Sequence, residues 1–351
     1  MSEKIDVLSL FPEELEKICI DLSEPKFRAK QIFSWLWKGA SFEEMSNLPL
    51  SLRTKLSEKC EVCLPKVEQK FVSKLDGTIK YLFKLCDGEL IESVLMKYKH
   101  GNSICISSQV GCRMGCRFCA STIGGKVRDL TPSEMAGQVL AAQLDSGERI
   151  SNIVMMGIGE PLDNYDNTLR FLRLINHKDT LNIGHRHISV STCGLADKIK
   201  ALADQDLQIT LSISLHASDD TTRSSIMPIN NKWNIDSLMD SCRYYFDKTG
   251  RRISFEYTLI AGKNDTLENA ESLGRLLHEK FARAGEPLHI NLIPVNPVEE
   301  TGFSRSESKS VEAFAATLEK MHLNATIRRR LGSDIDASCG QLRRGAMRNK
   351  S

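Results

Sequence analysis

Hydrophobic and polar positions along the 351-residue chain fall into three successive patterns. Up to about residue 60 the apolar residues recur at helical spacing. Pro12-Glu13-Glu14-Leu15 opens a segment in which Leu15, Ile18 and Leu22 share a face, and Phe27, Ile32, Phe33, Trp35 and Leu36 form an aromatic-rich stripe in the next. The period then shortens. Residues 67–75, 79–85 and 90–98 read as strands separated by Asp76-Gly77, Asp87-Gly88 and His100-Gly101-Asn102. Asp-Gly between β-rich runs marks a hairpin, so this stretch predicts a β-meander feeding a further strand at 103–107.

Beyond residue 130 strand-like and helix-like segments alternate. Thr131-Pro132-Ser133-Glu134 is a capping box with proline at the first helical position, opening a helix with Met135, Val139 and Leu140 inward. Apolar strands follow at 153–156, 188–191, 209–214, 253–259 and 290–295, with a short last one at 325–328. Helical segments lie between them, the first carrying Leu169, Phe171, Leu172 and Ile175. Repeated strand–helix units imply parallel strands with right-handed crossovers. Six such units are too few to close an eight-stranded barrel, and in barrels of this kind the chemistry collects at the C-terminal ends of the strands.

At 41% hydrophobic and 26% charged, the chain has enough apolar residues for a sizeable core in one large domain or two. No apolar run approaches the roughly 20 residues of a membrane helix. The N-terminus lacks the apolar centre of a signal peptide, so the cytoplasm is expected. A net charge of +2 does not mark a nucleic-acid binder. Basic residues do cluster at 66–84 and 328–350, including Arg328-Arg329-Arg330 and Arg343-Arg344. Such clusters either track a phosphate backbone or form a solvated face and tail, and charge alone does not choose.

The 11 cysteines fit thiol chemistry in a reducing compartment better than a disulfide framework. Cys60-x2-Cys63 has no second pair to complete a zinc site and reads as structural thiols. Cys19, Cys86, Cys193 and Cys242 read as small buried hydrophobes. Cys112, Cys116 and Cys119 differ, standing in a C-x3-C-x2-C spacing within eight residues. Three thiolates on one loop would leave one iron of a cubane open to bind and split a ligand. A zinc ion that borrows a distant fourth ligand is the alternative. Gly157-Ile158-Gly159-Glu160-Pro161 fails the dinucleotide fingerprint, because Leu162 stands where the third glycine belongs. A glycine turn with a carboxylate at a strand end suits instead a ligand with an ammonium and polar edges.

The cysteine loop, with Phe118 before its last thiol, resembles that of the radical S-adenosylmethionine enzymes. Glu92, Cys105, the Gly-Glu-Pro at 159–161, Ser191, Ser214-Leu215-His216, Asn296 and Cys339 extend the likeness over nearly the whole chain. They resemble one branch, the radical adenine methyltransferases of RNA (the RlmN and Cfr family). The likeness implies an α/β fold, an open partial (β/α)6 barrel. A helical RNA-docking domain at 1–65 and a meander at 66–102 would precede the barrel, with its C-terminal cysteine loop, at 103–345.

It also implies a [4Fe-4S] cluster on Cys112, Cys116 and Cys119, and two S-adenosylmethionine molecules per turnover. Gly159 and Glu160 would hold the amino-acid part, and Ser191, Ser214, Leu215, His216 and Asn296 the rest. Without the likeness, Ser191 and Asn296 would be ordinary turn residues and His216 a core histidine. An sp2 C–H carbon of adenine is a poor nucleophile, so the implied route is a radical one. Cys339 takes a methyl group, and a radical made from a second cofactor removes hydrogen from it. The carbon radical adds to the base, and loss of an electron and of a proton, which Glu92 accepts, leaves Cys339 joined to it. Cys105 then attacks the sulfur of Cys339, releasing methyladenine and leaving a Cys105–Cys339 disulfide. A solvated strand glutamate is the plain alternative for Glu92, and Cys105 could share its role. The implied targets are C2 of adenosine 2503 in 23S rRNA and of adenosine 37 in tRNA, with C8 of the same rRNA adenosine as the alternative. A reducing donor such as flavodoxin and a monomeric state are expected. The competing reading from another class is an RNA-binding protein with a structural zinc or cluster site.

Overall fold

The computed structural model describes residues 4–99, 101–281, 288–296 and 299–335. Strand β1 (Ile5–Asp6) leads into helices α1 (Pro12–Asp21), α2 (Phe27–Leu36) and α3 (Leu50–Lys59), and β2 (Cys60–Glu61) returns to pair in parallel with β1. Pro12 takes the first position of α1, while Glu14 accepts the Phe11 N–H at 2.7 Å and closes the helix start. In the aromatic stripe Ile32, Phe33 and Leu36 are core, whereas Phe27 is exposed beneath the guanidinium of Arg28. The module docks through Asp6, whose carboxylate accepts from the hydroxyls of Ser9 and Ser133. Arg170 adds a bond from Nε to the Ser9 carbonyl at 2.7 Å.

The meander is β3 (Lys66–Val72), β4 (Ile79–Lys84) and β5 (Leu90–Tyr98), which run antiparallel; β5 pairs antiparallel with β6 (Gly101–Cys105). A small hairpin follows, β7 (Gln109–Gly111) with β8 (Lys126–Asp129). Then come α4 (Pro132–Ser146), β9 (Ile150–Met155), α5 (Tyr165–Asn176), β10 (Ile188–Thr192), α6 (Ala196–Ala203) and β11 (Thr210–Ser214). The chain continues through α7 (Asp220–Ile226), α8 (Ile235–Thr249), β12 (Ile253–Leu259), α9 (Leu267–Lys280), β13 (Leu288–Pro294), α10 (Ser308–Lys320) and β14 (Ala325–Ile327). Thr131 caps α4 and Pro132 opens it, as the capping box predicts.

Meander and barrel share one sheet. Among the described residues ten strands pair in the order β14-β13-β12-β11-β10-β9-β6-β5-β4-β3, parallel from β6 to β14 and antiparallel from β3 to β6. β6 is the seam, hydrogen-bonded to β5 on one side and β9 on the other. The edges β14 and β3 do not pair with each other, so the sheet is open, as expected. Every residue of β3 is exposed, and its Lys66 and Lys70 put on the edge the charge that discourages pairing with another chain.

Three expectations change. Cys86 is exposed in the Asp87-Gly88 turn after β4, where the chain reverses away from the core, and its thiol meets that of Cys63. Lys80 is no part of a solvated basic face. It lies fully buried in β4, because five consecutive residues of that strand are covered on both faces. Glu92 is not solvated either, at 2% exposure in β5. Cys339 and the basic residues beyond it lie outside the described residues. No helix among the described residues is long and apolar enough to cross a membrane.

Candidate active site

The cysteine loop is pinched at its base by β7 and β8. Gly111 has φ 78°, and a Cβ there would lie 2.0 Å from the Gly125 carbonyl oxygen, so only glycine lets the two ends close. Inside the loop the Cys112 N–H donates to Gly125 at 3.1 Å and the Cys119 N–H to Cys116 at 3.0 Å. The Arg117 N–H reaches across to Ile226 at 2.9 Å. At its rim Asp163 accepts from Gln109 Nε2 at 2.9 Å, Lys126 Nζ at 3.1 Å and the guanidinium of Arg113.

The three thiols line one wall of a cavity of about 260 Å³ at the C-terminal ends of the strands. Burial pushes the Cys112 thiol up to about 12. Burial also pushes Cys116 well above its ordinary value, and the charges of Cys119 and Cys112 push it further. Three thiolates so close repel one another unless a cationic centre neutralises them, which is what a metal–sulfur cluster does on binding. The set therefore fits such a group. No three His, Cys, Asp or Glu among the described residues converge as ligands of one ion would. A cubane takes each thiolate on a different iron.

The strand-end residues complete the lining. Gly159 (φ 105°) packs so tightly that a Cβ would lie 2.6 Å from that of Gln109. Glu160 is 3% exposed; its carboxylate accepts the Cys193 N–H at 2.7 Å and the Leu162 N–H at 3.0 Å. Burial raises its pKa and those bonds oppose the rise. Ser191, Ser214, His216 and Asn296 also line the cavity. His216 Nδ1 accepts the Thr258 N–H at 2.9 Å and the ring meets Phe118 edge-on at 4.9 Å. Leu215 is different. Its side chain is fully buried away from the cavity, its N–H donates to the Glu256 carbonyl and its own carbonyl accepts from Arg223.

A second cavity, about 210 Å³, adjoins the first across a shared wall that includes Met156, Gly157, Asn296 and Arg328. Glu92 and Cys105 both line it, with Arg305 and Arg328 to Arg330. Burial pushes the Cys105 thiol up, and the charge of Arg328 pulls the other way. Lys80 Nζ stands 3.2 Å from Glu92, on the neighbouring strand. Where the chain leaves this cavity it is latched to the meander. Ser73 Oγ donates to Asp334 at 2.7 Å, the Lys74 N–H to Asp334 at 2.9 Å, and the Gly332 N–H to Asp76 at 2.8 Å.

Several residues of this region carried no sequence motif. Glu256 lines the first cavity at 4% exposure, held by Asn291 Nδ2 at 2.6 Å and Ser254 Oγ at 2.9 Å. With Glu160 and Arg328 also in its lining, the cavity suits a ligand bearing both an ammonium and a carboxylate. Arg223 is fully buried and donates to the carbonyls of Cys193, Ser214 and Leu215 and to Asn230 Oδ1, tying the ends of β10 and β11 together. Gln138 of α4 bridges Ser93 Oγ to the backbone of Ser107. The Ser107 hydroxyl in turn donates to the Glu92 carbonyl and accepts the Ile158 N–H.

Residues 106–275 match the model of the radical SAM superfamily, and residues 5–62 that of the ribosomal RNA large subunit methyltransferase N-terminal domain. A probable dual-specificity RNA methyltransferase RlmN from Clostridium novyi (strain NT) is 54% identical over 346 residues, 98% of this chain and 99% of its own. Its counterpart from Alkaliphilus oremlandii (strain OhILAs) is 53% identical over 99% of this chain and 100% of its own. Among solved structures, a radical SAM methyltransferase from Sphaerobacter thermophilus superposes with a TM-score of 0.90 at 40% identity, covering 96% of this chain and 98% of that one.

Proposed function

The chain belongs to the RlmN family of radical S-adenosylmethionine RNA methyltransferases, and from that premise we propose its reaction and targets. It methylates C2 of adenosine 2503 in 23S rRNA and of adenosine 37 in tRNA, using two S-adenosylmethionine molecules per turnover and Cys339 as methyl carrier. The observation that carries this reading is the pair of adjoining cavities, one lined by the three loop cysteines and the other by Cys105 and Glu92.

A cluster on Cys112, Cys116 and Cys119 supplies, when bound, the electron that cleaves S-adenosylmethionine and so yields a hydrogen-abstracting radical. The residues do the rest. Glu160 and Gly159 hold the amino-acid end of the cofactor, and the strand-end residues Ser191, Ser214, His216 and Asn296 surround its remainder. Cys339 carries the methyl carbon that becomes bonded to adenine C2. The adduct so formed is a radical and gives up one electron, which the cluster would take back when bound, and Glu92 takes the C2 proton. The Cys105 thiolate attacks the Cys339 sulfur; the bond from that sulfur to the methylene carbon breaks, the carbon keeps the electron pair and gains a proton, and the two cysteines end as a disulfide. The base must be unstacked to reach this depth, which suits unpaired loop nucleotides. Arg305, Arg329 and Arg330 at the second cavity suit their phosphates. The protein acts as a cytoplasmic monomer fed by a low-potential donor of the flavodoxin type.

Mass spectrometry of Cys105→Ala tests this. The methyl transfer and the addition to adenine proceed but the exchange cannot, so RNA should be trapped on Cys339, whereas Cys339→Ala traps and methylates nothing. Turnover in Cys339→Ala would overturn the carrier role. Release of 8-methyladenosine from digested RNA would overturn C2.

A further inference from the structure

Gln109 touches both elements that the proposed reaction must hold in register. One is the turn at 159–163 after β9; the other is the cysteine loop, whose feet are β7 and β8. Gln109 stands on β7 directly opposite Asp129 of β8 and is fully buried. Its Oε1 accepts the Glu160 N–H at 2.9 Å. Its Nε2 donates to Asp129 at 2.8 Å and to Asp163 at 2.9 Å. Its stem is the surface on which Gly159 packs, since Cβ and Cγ of Gln109 are atoms that a Cβ on Gly159 would strike. A buried amide is costlier to desolvate than an alkyl side chain of the same size, so packing alone does not call for glutamine here. What the amide adds is direction: its oxygen is bonded to the turn, and its nitrogen to the turn and to the second foot of the loop.

We propose that Gln109 is a positioning residue that sets the distance and tilt between the cofactor-holding turn and the cluster-holding loop. The inference rests on the reading that Gly159 and Glu160 hold the amino-acid end of S-adenosylmethionine and that the three loop cysteines hold the cluster. An iron left open by three thiolates serves only a ligand brought to bonding distance, and here one element fixes the ligand while another fixes the iron. Such geometry tolerates little error: a displacement of about 1 Å is worth about 10²-fold in rate. Each half is closed on its own. The loop shuts where Gly111 meets the Gly125 carbonyl, and Glu160 has its bonds to Cys193 and Leu162. Other bonds cross the gap, from Lys126 to Asp163 and from Asn164 to the carbonyls of Ser108 and Leu130, and they hold the far end of the turn. Gln109 holds the Glu160 peptide itself.

The test uses the full chain, with its cluster in place and cluster-free. Gln109→Met should keep the parent's iron per chain, because the three thiols and the glycines at the base of the loop are untouched. Its affinity for S-adenosylmethionine, by equilibrium dialysis of the cluster-free protein, should stay within about tenfold. The meeting of the two halves should suffer instead. Saturating S-adenosylmethionine should shift the electron paramagnetic resonance spectrum of the reduced cluster in the parent, and that shift should shrink in Gln109→Met. Methylation kcat should fall about 10²-fold with KM little changed. Gln109→Glu keeps an oxygen for the Glu160 N–H but sets a third carboxylate against Asp129 and Asp163, and should fall as far. Gln109→Glu/Asp129→Asn restores the net charge and a hydrogen bond between the same two positions, its direction reversed, and should regain at least about tenfold of that loss. If Gln109→Met fails to fold, the Glu variant and the exchanged pair decide the matter. A Gln109→Met chain with the parent's spectral shift and kcat overturns the inference. So does one whose losses follow lost iron or lost cofactor affinity, since the glutamine then serves one half only. An exchanged pair no better than Gln109→Glu overturns it too. A parent whose spectrum ignores S-adenosylmethionine would instead overturn the reading of the site, a different failure.

Discussion

His216 occupies the left-handed region at φ 58°, which a non-glycine residue adopts only when its surroundings compel it. The compulsion is visible: Asn264 Nδ2 donates to its carbonyl at 2.7 Å and the Thr258 N–H donates to its Nδ1. Burial lowers its pKa to about 3, so the ring is neutral at working pH with its proton on Nε2. The sign of the pH dependence follows. Unfolded, the histidine binds a proton near its ordinary 6.5, while the folded ring refuses it until about 3. Its contribution, on the order of a few kcal/mol, is therefore complete above 6.5 and lost progressively as pH falls toward 3. Denaturant midpoints between pH 4 and 6.5 should slope less in His216→Asn, which tolerates the same backbone region. Arg223 allows a sharper expectation. Arg223→Met strands four acceptors that now take guanidinium bonds, and should cost about 3–5 kcal/mol in urea unfolding, with Arg223→Lys recovering only part.

The turn after β9 shows how one element sets ligand geometry. With φ 105° and Gln109 atoms within 2.8 Å of where a Cβ would go, Gly159→Ala must push the Glu160 turn away from β7. S-adenosylmethionine affinity, followed by equilibrium dialysis, should fall at least about tenfold. Iron per chain should be unchanged, because the cysteine loop closes on Gly111 and Gly125. At this scale much was readable beforehand. Apolar runs at strand length, the Asp-Gly turns and the Thr131–Glu134 box gave the element order, and the glycine turn and cysteine spacing are local in sequence. Pairing partners are not written in periodicity, so the fusion of meander and barrel through β6 was not readable. Nor was Arg223, which in Asp-Asp-Thr-Thr-Arg-Ser-Ser looks like one more solvent-facing residue. Lys80 left a fainter sign: a lone lysine inside Ile-Lys-Tyr-Leu-Phe, a run apolar enough to be covered on both faces, must find a buried counter-charge.

At the scale of the whole molecule, the notable contact is the one farthest apart in sequence among the described residues. Asp334 and Gly332 are fastened to the turn between β3 and β4, some 260 residues earlier in the chain. Cys339 lies five positions beyond Asp334, so a fully extended chain reaches no more than about 18 Å from that anchor. In the proposed reaction Cys339 must meet Cys105, and the latch would hold the two within a short span of chain, for which effective concentrations are of about millimolar order. Undo the latch with Asp76→Ala/Asp334→Ala, and among the described residues the next backbone bond to the sheet is that of the Arg328 N–H to Leu292 at 2.9 Å. The sequence span from that described anchor to Cys339 is eleven positions instead of five. Effective concentration falls roughly as the −3/2 power of that length, about threefold. Oxidation of the 105–339 pair by a small disulfide should slow by that factor at its intramolecular step, while bimolecular alkylation of Cys339 keeps its rate. On the proposed reaction, the turn at the far edge of the sheet would thus act as a concentration device, setting how often one sulfur finds the other.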